Sequence, residues 1–182
     1  MTDRKLPSAL IVMGVSGSGK STIAEALAAR LHWAFKDGDG FHPASNVAKM
    51  SAGQPLTDAD RKPWLQAIAD EIGRTIAAGE SIVIACSALK RAYRDILRGD
   101  RDDVAFVYLH GTRELILQRL NARKGHFMPP ALLDSQLATL EAPGPDEHAL
   151  TVSIDAAVDT VVTNIISRLG PDLQSQPERT AS

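Results

Sequence analysis

Residues 14–21, GVSGSGKS, satisfy G-x-x-x-x-G-K-[ST] at every position. They follow the apolar run 9–13, ALIVM. They lead into a segment, 20–32, in which Ile23, Leu27 and Leu31, with Ala24 and Ala28, recur at fourfold spacing. A run that is apolar at every position reads as a strand buried on both faces. The fourfold stripe reads as an amphipathic helix. A glycine loop between the two lets the backbone wrap a phosphate at close range. The N–H groups and the dipole at the helix start then face the anion. Gly14, Val15, Ser16, Gly17, Ser18, Gly19, Lys20, Ser21 and Thr22 are therefore expected to hold a nucleoside triphosphate. Lys20 is expected to reach the β- and γ-phosphates, and the Ser21 hydroxyl to ligate Mg²⁺.

The rest of the chain alternates short β-rich runs with helix-period segments. Strands are expected at 33–36, 81–86, 104–109 and 151–154. Helices are expected at 44–51, from about Asp60 to Ala78, and at 89–98, 112–123, 131–141 and 156–169. Pro63 lacks an N–H, so it is assigned to a first helical turn with Asp60 as N-cap. Asp155 reads as a cap for the last helix. Residues 124–130 hold two prolines and a glycine and read as a mobile loop; 170–182 reads as a frayed tail. This alternation implies a three-layer αβα sandwich built on a parallel sheet. Ligands in such sheets lie beyond the carboxyl ends of the strands. The expected organisation is one domain over 1–169, with a lid at about 123–130.

Composition narrows the function. Twenty Lys+Arg against 22 Asp+Glu give a net charge of −2. That balance offers no footprint for nucleic acid or an anionic membrane. One cysteine, Cys86, excludes an intrachain disulfide and a Cys-rich zinc site, and a reducing compartment is the default. The apolar run near the start is far too short to span a membrane and leads straight into the glycine loop, so it is read as a strand rather than a secretion signal. A cytoplasmic protein is expected.

Among nucleotide-binding classes, a guanine-reading N-K-x-D is absent. No hydrophobic strand ends in a convincing acidic metal ligand. A small phosphotransferase fits better. Asp37 and Asp39 follow the second strand, and Arg119 and Arg123 precede a basic loop. Asp37 is assigned to the metal side, acting through water. Asp39 is assigned to the acceptor hydroxyl, as orienter or general base, with the two carboxylates on opposite sides of an extended segment. Arginines near the loop would neutralise transferring charge. Ser87 sits at the tip of the third strand, with Lys90 and Arg94 four apart on the following helix. Lys49 and Arg61 are further cations. Together they are candidates for gripping an anionic acceptor. His42 and His126 are weaker candidates. Trp33, Trp64 and Cys86 read as packing residues.

The chain resembles the bacterial-type gluconokinases, small carbohydrate kinases related in fold to shikimate and adenylate kinases. The likeness rests on MGVSGSGKS at 13–21, DGDGFHP at 37–43, PLTDADRKPWL at 55–65, CSALKRAYRD at 86–95, RLNARKGHF at 119–127 and SQLATLEAP at 135–143. It implies five parallel strands in the order 2-3-1-4-5 and a mobile lid closing over ATP. It implies phosphorylation of D-gluconate at its 6-hydroxyl. Lys20, Asp39 and Arg123 would then be catalytic. Arg119 and Arg123 would serve ATP, and Ser21 with Asp37 would serve Mg²⁺. Asp39, His42, Lys49, Arg61, Ser87, Lys90, Arg94 and His126 would serve the substrate. A homodimer is a further implication. A kinase for another polyhydroxy acid, such as shikimate, and a nucleotide-dependent switch are the alternatives.

Overall fold

A computed structural model describes residues 6–123 and 130–170. Of the segments singled out above, His126, nearly all of the lid and all of the tail but Gly170 lie outside the described residues.

Five strands form one sheet: β1 (Ala9–Met13), β2 (Ala34–Asp37), β3 (Ile82–Ala85), β4 (Val104–His110) and β5 (Ala149–Ser153). Their order is β2-β3-β1-β4-β5, and every pairing is parallel. This is the order that the resemblance implied. The helices are α1 (Lys20–Leu31), α2 (Ala44–Ser51), α3 (Asp58–Ala77), α4 (Arg91–Arg98), α5 (Arg113–Ala122), α6 (Pro130–Thr139) and α7 (Val158–Leu169).

The strand period of two divides the core. Leu10 and Val12 of β1 point into one cluster, with Leu27 of α1, Ile116 of α5 and Ile165 of α7. Ala9, Ile11 and Met13 point into the other, with Leu65, Ile68 and Ile72 of α3 and Leu97 of α4. All of β1 is buried, which is why its sequence carries no polar alternation. Two apolar layers clamp the central strand, and Val15, in the loop at its carboxyl end, packs into the first of them.

Most elements end within two residues of expectation, and two helix caps differ from it. The N-cap of α3 is Thr57, not Asp60. Thr57 and Asp60 form a reciprocal capping box: Asp60 N–H donates to Thr57 Oγ1 at 3.1 Å, and Thr57 N–H donates to Asp60 Oδ2 at 2.9 Å. Residues 57–60, TDAD, carry the T-x-x-D spacing of such a box. Pro63 lies inside the helix, beyond its first turn. The last helix is not capped by Asp155; its N-cap is Ala157, with no side-chain cap.

Candidate active site

β1 stops at Met13, and the chain turns through the glycine loop into α1. Gly19, the N-cap of α1, has φ 87°, and no side chain caps the helix. The first N–H groups are thus left for an anion. Gly17, at φ 83°, has no room for a side chain: a Cβ there would lie 2.6 Å from Leu120 Cγ. Only glycine fits both the backbone and the space. Ser18 is fully buried, and its N–H closes the loop onto Val15 O at 3.2 Å.

The loop forms one wall of a cavity of about 540 Å³. Ser16, Gly17, Gly19, Lys20 and Ser21 line it from that side. Asp37 lines it from the last position of β2, Asp39 and His42 from beyond that strand, Ser87 from beyond β3, Arg61 from α3, and Arg123 from the end of α5. All of these lie at or past the carboxyl ends of the strands, as expected for an open parallel sheet. Gly14 N–H donates to Ser87 O at 3.3 Å, tying the loops after β1 and β3 together.

Lys20 Nζ donates to Val15 O at 3.1 Å. Burial lowers its pKa, while the carboxylates of Asp39 and Asp37 act against that shift. The ammonium is thus half-buried at the cavity wall and close to two negative groups. Ser21 Oγ donates to Asp37 Oδ2 at 2.9 Å. A hydroxyl and a carboxylate in contact are hard oxygen donors, the set that suits Mg²⁺ bound with phosphate and water.

The extended geometry expected for residues 37–39 is absent. Residues 38–41 form a short 3-10 turn, capped by Asp37 Oδ1 accepting from Asp39 N–H at 3.0 Å. In an extended strand, residues two apart share a face. It is the turn that separates the two carboxylates, Asp37 meeting Ser21 Oγ while Asp39 lines the cavity. Gly38 is needed at its start: a Cβ would lie 2.5 Å from Ala85 O.

Four predicted cations do not line the cavity. Arg94 is 1% exposed and pairs with Glu147, 6% exposed, through Nε–Oε1 at 2.7 Å and Nη2–Oε2 at 3.1 Å. Its Nη1 donates to Ala88 O at 2.9 Å and Leu89 O at 3.3 Å. All its donor groups are turned to structure, so the structure corrects the expectation that Arg94 grips the acceptor. What it does instead is hold the loop after Ser87, where Ala88 sits at φ 45°, unfavourable for a residue with a Cβ. Lys90 is the N-cap of α4, outside the helix, so it does not share the face of Arg94. Its Nζ donates to both carboxylate oxygens of Asp58 at 3.1 Å. Lys49 Nζ lies 2.8 Å from Asp60 Oδ2. Arg119 Nη2 donates to Ile154 O at 2.5 Å and lies against Gly19.

Residues given no role by the sequence reading also shape the cavity. Tyr93 lines it; its hydroxyl donates to Asp58 and accepts from Arg61 Nη1 at 3.3 Å. Gln136 of α6 grips the loop from above: its Oε1 accepts from Ser16 N–H at 2.8 Å, and its Nε2 donates to Ser16 Oγ at 3.0 Å. Its only sequence signal was its place in the SQLATLEAP block. Trp64, read as packing, also lines the cavity and donates Nε1–H to Gly38 O at 2.7 Å. Cys86 is the small buried residue it was read to be; burial pushes its thiol up to about 12.

The comparisons with known proteins agree with this geometry. A family model described as shikimate kinase matches residues 16–169. A gluconokinase from Gluconobacter oxydans is 52% identical over 160 residues, covering 88% of this chain and 90% of that protein. The chain belongs to the gluconokinase family. The thermoresistant gluconokinase of Escherichia coli is 48% identical over 157 residues, covering 86% of this chain and 90% of its own. The crystal structure of a gluconokinase from Sinorhizobium meliloti superposes with a TM-score of 0.81 at 44% identity, covering 95% of this chain and all of the other. Family membership makes the chain an ATP-dependent kinase, and the cavity is where its members' chemistry would lie. No described helix is long and apolar enough to cross a membrane.

Proposed function

We propose that this protein transfers the γ-phosphoryl group of ATP to the 6-hydroxyl of D-gluconate. The observation that carries the reading is that one cavity unites the glycine loop and Lys20 with the Asp39 carboxylate and the guanidinium groups of Arg61 and Arg123. The names of the relatives supply the acceptor.

In this reading the loop amides and Lys20 hold the triphosphate, and Arg123 faces the transferring charge. Asp39 accepts a hydrogen bond from the 6-hydroxyl and orients its oxygen for in-line attack. A bond forms between that oxygen and the γ-phosphorus, the bond to the ADP oxygen breaks, and the hydroxyl proton passes to Asp39 or to water. Ser21 and Asp37 would hold Mg²⁺, Asp37 through water; bound there, the ion would neutralise charge on the β- and γ-phosphates. Arg61, on the acceptor side, is the cation left to meet the gluconate carboxylate. A homodimer and a cytoplasmic location complete the proposal on the strength of the resemblance, and light scattering tests the first.

ADP release with Mg-ATP tests the activity against gluconate, shikimate, glucose, AMP and no acceptor. Turnover with gluconate alone is expected. The match to a family model described as shikimate kinase favours a second reading, a related cyclic acid, and turnover with shikimate in place of gluconate would establish it. Acceptor-independent turnover would overturn both.

A further inference from the structure

A chain of hydrogen bonds running from the start of α3 to the cavity fixes the state of one imidazole. Its first link is the capping box, which holds residue 60 in place. Asp60 O accepts from Asn46 Nδ2 at 2.9 Å. A backbone carbonyl can only accept, so this contact decides which end of the Asn46 amide is NH₂. Asn46 is 2% exposed, so water does not offer it an alternative. The same Nδ2 lies 3.3 Å from His42 Nδ1. A donor facing Nδ1 requires a lone pair there. The neutral ring must then carry its proton on Nε2.

The ring is also held in its plane. It stacks on Trp64 with centroids 4.2 Å apart and planes 14° from parallel. Trp64 is in turn tied to Gly38 O, within the turn that carries Asp39. His42 lines the cavity beside Asp39 and Arg61. Its Nε2 has no hydrogen-bond partner among the described residues. The charged groups facing it are Asp39 from the turn and Arg61 from α3; burial and Arg61 favour the neutral ring, and Asp39 opposes them.

We infer that His42 is a neutral donor to the acceptor substrate, presenting Nε2–H to one of its oxygens while Asp39 accepts from the hydroxyl to be phosphorylated. The inference rests on the proposed kinase reading and deepens it. The acceptor side then holds a fixed acceptor, Asp39, and a fixed donor, His42. It suits a polyhydroxy compound that offers a hydroxyl proton to one and a second oxygen to the other. Asn46 acts only through the ring and is a positioning residue.

Two measurements test this. The first is the ¹⁵N spectrum of the imidazole nitrogens in the wild-type protein at pH 7.5, with His42 assigned by its loss in His42→Phe. A neutral ring protonated at Nε2 is expected; a ring protonated at Nδ1, or an imidazolium, would overturn the inference. The second is steady-state kinetics with Mg-ATP and gluconate. His42→Phe keeps an aromatic face for Trp64 and removes the donor. Leaving a substrate oxygen unpaired should raise the gluconate KM at least about fivefold. The KM for ATP should stay within about twofold, and His42→Gln, which restores an N–H, should recover part of the loss. A gluconate KM unchanged in His42→Phe would overturn the inference while leaving the kinase reading intact. Absence of wild-type turnover with gluconate would instead overturn the kinase reading, and with it the acceptor named here. The spectrum reports the tautomer in either case.

Discussion

Replacing Arg94 by Met separates a structural role from a substrate-binding one. The guanidinium is 1% exposed and is met by both oxygens of Glu147 and by two backbone carbonyls. Removing it leaves the Glu147 carboxylate buried with, among the described residues, only Gly144 N–H, at 2.7 Å, as a hydrogen-bond donor. It also frees the carbonyl of Ala88, whereas Leu89 O keeps the N–H of Glu141 at 2.8 Å. Breaking a buried ion pair by removing one partner costs about 3–5 kcal/mol. A domain of this size loses roughly 2–4 °C of melting temperature per kcal/mol. Arg94→Met should therefore lower Tm by about 6–20 °C in a thermal melt followed by circular dichroism. Arg94→Met combined with Glu147→Gln should recover much of that loss, because the second change removes the stranded charge yet keeps an acceptor for Gly144. Neither variant contacts the acceptor, so the gluconate KM, measured well below the melting range, should rise only as far as the Ser87 loop loosens. A Tm within about 2 °C of wild type, together with a more than tenfold rise in KM, would refute the reasoning and return Arg94 to the substrate.

Three further outcomes are expected. Asp39→Asn should lower kcat about 10²-fold or more if the carboxylate takes up the hydroxyl proton; a change confined to the gluconate KM would make it a binding group only. Gly38→Ala should destabilise the fold by about 1–3 kcal/mol in urea melts. The new methyl would meet the Ala85 carbonyl at 2.5 Å, and neither the sheet nor the turn can yield; an unchanged midpoint would show that the turn does yield. The third concerns pH. Hydrogen bonds from Lys49, then from Thr57, hold the Asp60 carboxyl at about 2, below its unfolded value of 3.8. A depressed carboxyl contributes stability that is complete above 3.8 and is lost as pH falls toward 2. Lys49→Met should therefore make the acid loss of Tm shallower in that window, and an identical pH profile would remove Asp60 from the account.

How much was legible follows from how far apart the partners are. The place of the glycine loop between β1 and α1 was legible, because strand, loop and helix start are contiguous and each carries a local signal. The sheet order was not derivable from periodicity and came through family likeness. The assignment of Arg94 failed for a physical reason. The four-residue spacing from Lys90 puts two side chains on one face only if both are helical, and Lys90 is the cap before the helix begins. Nothing near Arg94 in sequence announced Glu147, which lies in a turn after α6. Gln136 on Ser16 and Lys90 on Asp58 are hidden in the same way: each pair joins separate elements.

By itself, then, the sequence determined where the strand, the glycine loop and the helix start lie, and which lysine and hydroxyl open that helix, because backbone geometry over a few residues is local. It also assembled the right types of side chain for an acidic, hydroxyl-bearing acceptor. Only the tertiary structure decided what each would do. Two polar groups far apart in the chain satisfy each other only when packing brings them within about 3 Å and removes the competing water. That condition turned Arg94 inward, left Arg61 facing the cavity, and fixed the proton of His42 through an amide and a carbonyl that the sequence does not connect.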